Sequence, residues 1–408
     1  MENKLIVGRY KLLTHIGQGG FGDVYTATDT KFPGSSMVVK LEKRSSKDPG
    51  VLIYECKIMQ VLQGIKGITK LFEFGTDQTS SMNYAVIENC GMALSDIQSV
   101  QAKLDIRSVI QVGLEMIRVL RKVHAMGILH RDLKPENFLY LPKGNKFFLI
   151  DFGLSKRYLD KLGRHLLRVG GKYFRGTLRY CSINMHLGIE SSRRDDLESL
   201  AYVLVYLAKG TLPWAGQPGK DLQDKMERVR RMKSEIKPAV LCGNTDPSLF
   251  ELLSYAKGLS FDQEPDYDML EMNFKSAMLR LMIDENTCYF PPKAIQSAQN
   301  QPNVKLYSKK ADSVMARGGA EISIRLRTRS PSPAMEKNVA NAKATGPGYT
   351  IKKVKAENQE LDLAAVLEAA KPIANLLTPA ALTNMMVEAA MANPRPAPRL
   401  ALNKPLPK

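Results

Sequence analysis

The chain has 408 residues, 44% of them hydrophobic and 25% charged, and its 59 Lys and Arg residues against 41 Asp and Glu give a formal net charge of +18. The length exceeds that of one typical domain, and no apolar run approaches the ~20 residues that cross a bilayer, so we expect no membrane-spanning segment. The five scattered cysteines form no C-x-x-C pair, which argues against a disulfide framework or a zinc site. Because the first residues also lack the features of a secretory signal, we expect a cytoplasmic or nuclear protein.

The first 90 residues show the alternation of apolar and polar side chains that is typical of strands. A segment with helical spacing follows from about Val51 to Leu62 and includes Glu55. The pattern predicts a small strand-rich lobe, residues 8–90, with one main helix. Antiparallel strands are predicted at RYKLLTHI, DVYTATD and MVVKLE, which are residues 9–16, 23–29 and 37–42.

Helical periodicity dominates after Ser95. Its longest stretches are LDIRSVIQVGLEMIRVLRKVHAMG at residues 104–127 and DDLESLAYVLVYLAKG at residues 195–210. We therefore expect an α+β fold in which a larger, mostly helical lobe covers residues 91–290.

Residues 291–408 differ in composition from the rest of the chain. They are rich in Pro, Ala, Gln and Asn, and residues 301–408 hold 17 basic against 8 acidic residues, a net charge of +9. This composition predicts a mostly disordered basic tail. The Ala-, Leu- and Met-rich stretch at residues 360–391 is the exception, because it could form short amphipathic helices.

The segment GQGGFGDV places Gly17, Gly19 and Gly22 in a G-x-G-x-x-G-x-V pattern. Glycines at this spacing let backbone amides approach phosphate groups, although the pattern also fits a plain glycine turn. A dinucleotide-binding fold would need a helix after these glycines, and Glu42, about 20 residues on, mimics the acidic ribose ligand of that fold. The strand-like alternation after Gly22 instead favours a hairpin folded over nucleotide phosphates.

Charged residues that could handle phosphate follow the glycine segment. Lys40 lies in the third predicted strand, where its ammonium group can bridge the α- and β-phosphates, and Glu55 can hold that ammonium in place. A lone lysine and glutamate would more often form a solvated pair. The presence of HRDLKPEN at residues 130–137 and DFG at residues 151–153 makes the phosphate role the better interpretation.

Within HRDLKPEN, Asp132 can accept a hydrogen bond from an attacking hydroxyl group and orient it. Asn137 and Asp151, the first residue of DFG, supply an amide oxygen and a carboxylate, which suit Mg²⁺. Lys134 adds a cation near the γ-phosphate. Because phosphoryl transfer spreads negative charge over phosphate oxygens, these residues in this order predict an enzyme that uses ATP and Mg²⁺.

HRDLKPENFL and DFGLSKRY resemble the corresponding segments of eukaryotic protein kinases, and Lys134 resembles the lysine of serine/threonine kinases. The run that begins GTLRYCSINMHLGIE at residue 176 is similar to the casein kinase 1 family, in which Ser-Ile-Asn, here residues 182–184, replaces the usual Ala-Pro-Glu. FDQEPDY at residues 261–267 also resembles that family. The resemblance covers about residues 8–285 and implies the bilobal protein kinase fold, but it does not extend to the tail.

The resemblance also implies an adenine site. Val38 stands where kinases usually have alanine, so its two extra methyl groups predict crowding of the nucleotide. Asp196 resembles the buried aspartate that anchors the catalytic loop, although a surface carboxylate in the SRRDD cluster is the alternative. The implied adenine contacts are Ile16 and Val24 as covering residues, Ile87 as gatekeeper, and Glu88 and Cys90 as the hydrogen-bonding hinge.

The same resemblance implies substrates whose serine or threonine lies three residues after a phosphorylated or acidic residue. Guanidinium and ammonium groups suit such anions, although each cation on its own could simply be solvated. Members of the casein kinase 1 family do not require phosphorylation of the activation loop. The positions that match its anion-binding groups are Arg179, Gly216 and Lys225 for one site, and Arg131, Lys156 and Lys172 for a second.

We therefore expect an ATP-dependent serine/threonine protein kinase, casein kinase 1-like, that acts as a monomer on acidic or pre-phosphorylated proteins. A pseudokinase scaffold that binds ATP without turnover is the alternative, although every catalytic residue type is present. The basic tail could also bind nucleic acid or an acidic filament, but its few aromatic residues disfavour sequence-specific RNA stacking. Ser330 and Ser332 suggest a further role, in which a phosphorylated tail segment occupies the anion sites and inhibits the enzyme.

Overall fold

Six antiparallel strands form the sheet of the N-terminal lobe. The computed structural model describes residues 2–18, 22–44 and 50–300, and the backbone of residues 313–314. The three predicted strands are confirmed, and the predicted helix is α1, Val51–Val61. The strands are β1 Leu5–Ile6, β2 Tyr10–Gln18, β3 Asp23–Asp29, β4 Phe32–Lys43, β5 Leu71–Asp77 and β6 Met82–Glu88. Their order in the sheet is β1-β2-β3-β4-β6-β5.

Helices make up most of the C-terminal lobe, as predicted. They are α2 Leu94–Ser99, α3 Ile106–Ala125, α4 Ile183–His186, α5 Arg193–Lys209, α6 Leu222–Glu235, α7 Pro238–Cys242, α8 Pro247–Gly258 and α9 Tyr267–Arg280. Asp105 caps α3 by accepting a hydrogen bond from the backbone N–H of Arg107, and the buried face of α3 packs against α5 and α9. Gly113 permits this close packing, because a Cβ atom there would lie 2.1 Å from the ring of Phe274.

Short strand pairs bring two loops of the C-terminal lobe together. β8, Ile128–Leu129, pairs with β11, Lys156–Arg157, and β9, Phe138–Leu141, pairs with both β10, Lys146–Leu149, and β7, Met92–Ala93. The HRDLKPEN segment therefore connects β8 to β9, and the DFG segment connects β10 to β11. The backbone N–H of Ile150 donates to the carbonyl oxygen of Asn137 at 3.0 Å, so the two segments lie side by side.

The ordered domain continues past its predicted end at residue 290. Phe290 packs on Tyr140, with ring centroids 4.7 Å apart, and helix α10, Pro292–Asn300, buries Ala294 and Ala298 and contacts α2. Farther along the chain, β13, Ser313–Val314, pairs antiparallel with β12, Gly176–Thr177. The rest of the predicted tail, including the helices expected at residues 360–391, lies outside the described residues.

None of the helices in the part of the chain that the structure describes is long and apolar enough to span a bilayer.

Candidate active site

Lys40 and Glu55 form a buried ion pair between the sheet and α1. Strand register places Lys40 between Val24 on β3 and Ala85 on β6, and its Nζ atom lies 2.7 Å from Oε1 of Glu55. Both side chains are shielded from solvent, and burial raises the pKa of Glu55. The pair fixes the lysine ammonium at one position rather than leaving it as the solvated pair that was the alternative.

Glu42 holds the N-terminus of the helix that carries Glu55. Its carboxylate accepts hydrogen bonds from the backbone N–H of Val51 at 3.0 Å, from that of Leu52 at 3.3 Å and from the side-chain amide of Asn83 at 3.1 Å. Gly50, the N-cap residue, has no side chain for this role. Glu42 is therefore a structural cap, and the dinucleotide-binding alternative is wrong because a strand rather than a helix follows Gly22.

Asp132 is buried and is held on both carboxylate oxygens. The hydroxyl of Thr177 donates to Oδ1 at 2.8 Å, and Nζ of Lys134 donates to Oδ2 at 2.5 Å. Burial disfavours the charge on Lys134, but Asp132 and Asp151 outweigh that effect and raise its pKa. The sequence did not identify Thr177, because its role depends on a contact 45 residues away along the chain.

Asn137 and Asp151 have the chemistry of a magnesium site. The amide nitrogen of Asn137 donates to the backbone carbonyl oxygen of Asp132 at 2.9 Å, which leaves its amide oxygen as the group that could bind a cation. Burial opposes the charge on Asp151, but Lys40 and Lys134 outweigh it and lower the pKa of that carboxyl group. An amide oxygen beside a charged carboxylate fits Mg²⁺ carried with a nucleotide.

Asp196, in the first turn of α5, anchors the predicted catalytic loop, which is the HRDLKPEN segment. It accepts hydrogen bonds from the backbone N–H groups of His130 and Arg131, each at 2.8 Å, and lies 2.9 Å from Nε2 of His124. Burial opposes its charge, but the contact with His124 and these donors outweigh it and lower the pKa of Asp196. The alternative of a surface carboxylate is wrong, because the side chain is 1% exposed.

The backbone of the two loops is itself unusual. Arg131 and Asp151 both have a φ of +68°, in the left-handed region that side-chain-bearing residues seldom occupy. Such conformations cost about 1–3 kcal/mol each and persist only where the surroundings fix them. Nε2 of His130 lies 3.0 Å from the carbonyl oxygen of Ile150, and burial lowers the pKa of His130, so a neutral imidazole links the loops.

The described residues among the predicted phosphate and adenine contacts lie on β2, β3, β4 and β6 or within two residues of these strands, apart from Glu55 on α1. Gly17 pairs with Val24, and Gly22 must be glycine because a Cβ atom there would lie 1.7 Å from the carbonyl oxygen of Leu41. Gly19 lies outside the described residues. Ile16, Val24, Val38 and Ile87 are buried members of one apolar cluster.

The predicted hinge begins at Glu88, the last residue of β6. The backbone N–H of Glu88 donates to the carbonyl oxygen of Lys70 at 2.9 Å, and its own carbonyl oxygen accepts from the hydroxyl of Thr69. Cys90 is buried, with Sγ 3.3 Å from the same hydroxyl oxygen. These contacts hold the hinge backbone in place, and its bonding to adenine stays a prediction.

The first predicted anion set consists of Arg179, Gly216 in the loop before α6, and Lys225 on α6. Trp214 lies two residues before Gly216, and its indole N–H donates to the carbonyl oxygen of Arg179 at 2.8 Å. Gly219 lies directly against Lys225, because a Cβ atom on it would be 2.8 Å from the Cβ of that lysine. The loop from Trp214 to Gly219 therefore links Arg179 to Lys225.

The second predicted anion set lines one cavity of about 790 Å³, which we call the cation-lined pocket. Arg131, Lys156 and Lys172 all contribute to its wall, as does Arg175, which the sequence did not single out. Glu190 lies in the same wall, 2.8 Å from Nζ of Lys156 and 3.4 Å from Nζ of Lys172. The pocket thus contains four cations and a carboxylate that pairs with two of them.

These charged groups form a connected set. Lys40 contacts Glu55 and acts electrostatically on Asp151, and Lys134 contacts Asp132 and acts on the same Asp151. The structure therefore brings together residues that lie up to 111 positions apart in the chain. Residues 10–256, which are more than half of the chain, match the family model described as a protein kinase domain.

Proposed function

The chain belongs to the protein kinase family, whose members use ATP and a divalent metal, and we propose that it phosphorylates serine and threonine side chains of proteins. The observation that carries this proposal is the connected set of Lys40, Glu55, Asp132, Lys134 and Asp151. A kinase-like scaffold without activity would not need Asp132 buried and held on both oxygens.

Asp132 is suited to orient the substrate hydroxyl and to receive its proton. The hydroxyl oxygen bonds to the γ-phosphorus of ATP while the bond from that phosphorus to the β–γ bridging oxygen breaks. Thr177 and Lys134 fix the direction of the carboxylate, and Lys134 places positive charge beside the transferred group.

Lys40 is suited to bind the α- and β-phosphates, because its ammonium is already desolvated and directed by Glu55. Asn137 and Asp151 would hold Mg²⁺, which neutralises charge on the phosphate oxygens when it is bound. Because these groups are in place before the substrate arrives, little reorganisation is needed during the reaction.

Substrates of the casein kinase 1 type, acidic or pre-phosphorylated, are the second part of the proposal. The cation-lined pocket supports it, because Arg131 of the HRDLKPEN segment lines that pocket together with Lys156, Lys172 and Arg175. The loop from Trp214 to Gly219 adds support, because it contacts both Arg179 and Lys225. Guanidinium groups bind both carboxylate and phosphate through paired hydrogen bonds, and the larger negative charge of a phosphorylated residue favours it over a carboxylate.

The test is a phosphotransfer assay with ATP and Mg²⁺ on casein, on a peptide with a phosphoserine three residues before the acceptor, and on the same peptide unphosphorylated. We expect transfer to serine or threonine and a clear preference for the primed peptide. Replacing Arg179 and Lys225 together should reduce activity on the primed peptide about tenfold and on the unprimed peptide much less. ATP binding without any transfer would identify a pseudokinase, and equal losses on both peptides would exclude a priming site there.

Inhibition by the chain's own tail is favoured by the pairing of β13 with β12. β12 includes Thr177, whose hydroxyl contacts Asp132, so Ser313–Val314 lies along the strand next to the catalytic aspartate. An added strand at this edge would compete with an extended substrate peptide. Removing residues 301–408 should lower the KM for peptide, whereas an unchanged KM would show that the tail does not inhibit.

A further inference from the structure

A fully buried lysine lies beneath residues 177–182, which we call the substrate segment. Lys233 belongs to the buried face of α6 together with Met226 and Val229, where an apolar side chain would ordinarily pack. Removing an ammonium group from water is unfavourable, and burial lowers the pKa of Lys233. The contacts of the ammonium group explain why a charged residue occupies this position.

The ammonium group of Lys233 has four possible acceptors around it, of which Sγ of Cys181, at 3.7 Å, is the most distant. Nζ lies 3.0 Å from the carbonyl oxygen of Leu178, 2.6 Å from that of Cys181 and 3.2 Å from Nε2 of His186. Because Nε2 accepts a hydrogen bond, the ring proton of His186 lies on Nδ1. Burial, together with the nearby charge of Lys233, keeps the pKa of His186 well below its ordinary value, so the imidazole is neutral.

Two aromatic rings complete the site around the ammonium group. Nζ of Lys233 lies 5.0 Å from the ring centre of Tyr202 and 5.3 Å from that of Trp214, distances at which aromatic faces stabilise a cation. The indole N–H of Trp214 donates to the carbonyl oxygen of Arg179. Side chains packed beneath the substrate segment therefore bind three of its carbonyl groups, at residues 178, 179 and 181.

A single turn transmits this restraint to the catalytic residues. The backbone N–H groups of Tyr180 and Cys181 each donate to the carbonyl oxygen of Thr177 at 3.0 Å. The hydroxyl of Thr177 in turn donates to Oδ1 of Asp132. Displacement of the carbonyl groups held by Lys233 would therefore move the hydroxyl that orients the catalytic carboxylate.

We propose that Lys233 is a positioning residue, which fixes the substrate segment so that Thr177 and Arg179 stay in place for a peptide substrate. The kinetic consequence rests on the proposed kinase function. The structural consequence, slower opening of the substrate segment, requires no reaction and can be measured on the free protein.

The test compares Lys233→Met with Lys209→Met in the full-length chain. Methionine keeps the length and apolar stem of lysine but removes its donors. Lys209 is a matched control, because its Nζ also donates to a backbone carbonyl oxygen, that of Leu241 at 2.7 Å, outside the substrate segment. Amide hydrogen exchange is measured over residues 177–182, with thermal unfolding and with KM values for peptide and ATP.

We expect Lys233→Met to speed exchange in the substrate segment about tenfold and to raise the KM for peptide by a similar factor, with little change in the KM for ATP. Lys209→Met should leave the substrate segment unchanged. Unchanged exchange in Lys233→Met, or equal acceleration in both variants, would overturn the proposal. If Lys233→Met does not fold, Lys233→Gln is measured instead, because its side chain is shorter and has two donor protons rather than three. Faster exchange over residues 177–182 supports the proposal, and exchange equal to that of the wild type overturns it.

If the wild-type protein transfers no phosphate, the proposed function fails, and the exchange data still decide the role of Lys233.

Discussion

The catalytic loop and the cation-lined pocket use the same kinds of charged residue but hold them differently. Asp132 and Asp196 are at most 4% exposed, and each accepts several hydrogen bonds from fixed donors. In the pocket, the side chains of Lys156 and Lys172 are 34% and 48% exposed and share Glu190. The groups assigned to the proposed reaction and to its anchor are therefore fixed by buried contacts, whereas the lysines of the proposed recognition pocket are exposed enough to change partners.

Among the variants that test this comparison, Asp132→Asn should have the largest effect. The variant keeps the shape of the side chain but cannot receive the proton of the substrate hydroxyl, so kcat should fall about 10³-fold or more. ATP binding should stay close to that of the wild type, because Lys40, Asn137 and Asp151 are unchanged. Phosphotransfer kinetics and ATP titration check both expectations, and near-normal turnover would remove Asp132 from its assigned role.

Asp196→Asn tests whether the loop depends on its buried anchor. An amide has one oxygen, so it cannot accept hydrogen bonds from His124, His130 and Arg131 together. The free energy of unfolding should therefore fall by about 3 kcal/mol. Denaturant unfolding measures the change. The control is Asp268→Asn. The exposed carboxylate of Asp268 pairs with Arg121 at the surface and should contribute little to the free energy of unfolding. Equal stability of the two variants would contradict the anchoring role.

Glu190→Gln tests whether the cation-lined pocket is free to exchange partners. Burial opposes the charge of Glu190, but its contact with Lys156 outweighs that effect and lowers its pKa, so the carboxylate is ionised at neutral pH. Removing that charge releases two ammonium groups, and a primed peptide should bind about fivefold more tightly. An unchanged affinity for the primed peptide, measured against the unprimed one, would show that the pocket does not bind phosphate.

Val38→Ala should have the smallest effect. Val38 is 7% exposed in the apolar cluster that contains Ile16, Val24 and Ile87, and its two extra methyl groups are expected to crowd the nucleotide. The KM for ATP should fall about threefold in the variant, because crowding by additional methyl groups is unfavourable. Weaker ATP binding in the variant would show instead that the valine packs well against adenine.

The sequence predicted the bilobal fold and the central charged residues because both depend on local patterns. The strand alternation, the helical periodicity, HRDLKPEN and DFG are each contiguous in the chain. Thr177, Arg175 and Lys233 were missed because their roles arise only from tertiary contacts. Lys233, for example, follows two arginines and a methionine in a basic stretch, which in a sequence is typical of a solvated helix face.

Helix α10, which lies past the predicted boundary at residue 290, was missed for a related reason. The proline pair at residues 291–292 predicted the end of ordered structure, but Pro292 begins α10, where a missing N–H group has no effect on helix hydrogen bonding. Burial of Ala294 and Ala298 then depends on α2, which lies almost 200 residues earlier. No local pattern contains that contact.

The central claim is that Lys40, Asn137 and Asp151 bind ATP and Mg²⁺ at one site beside Asp132. Its most direct test is ATP binding with and without Mg²⁺, measured by titration on the wild-type protein, Asp132→Asn and Asp151→Asn. We predict that Mg²⁺ strengthens binding in the wild type and in Asp132→Asn, and that this enhancement is lost in Asp151→Asn. Equal enhancement in all three proteins would contradict the claim.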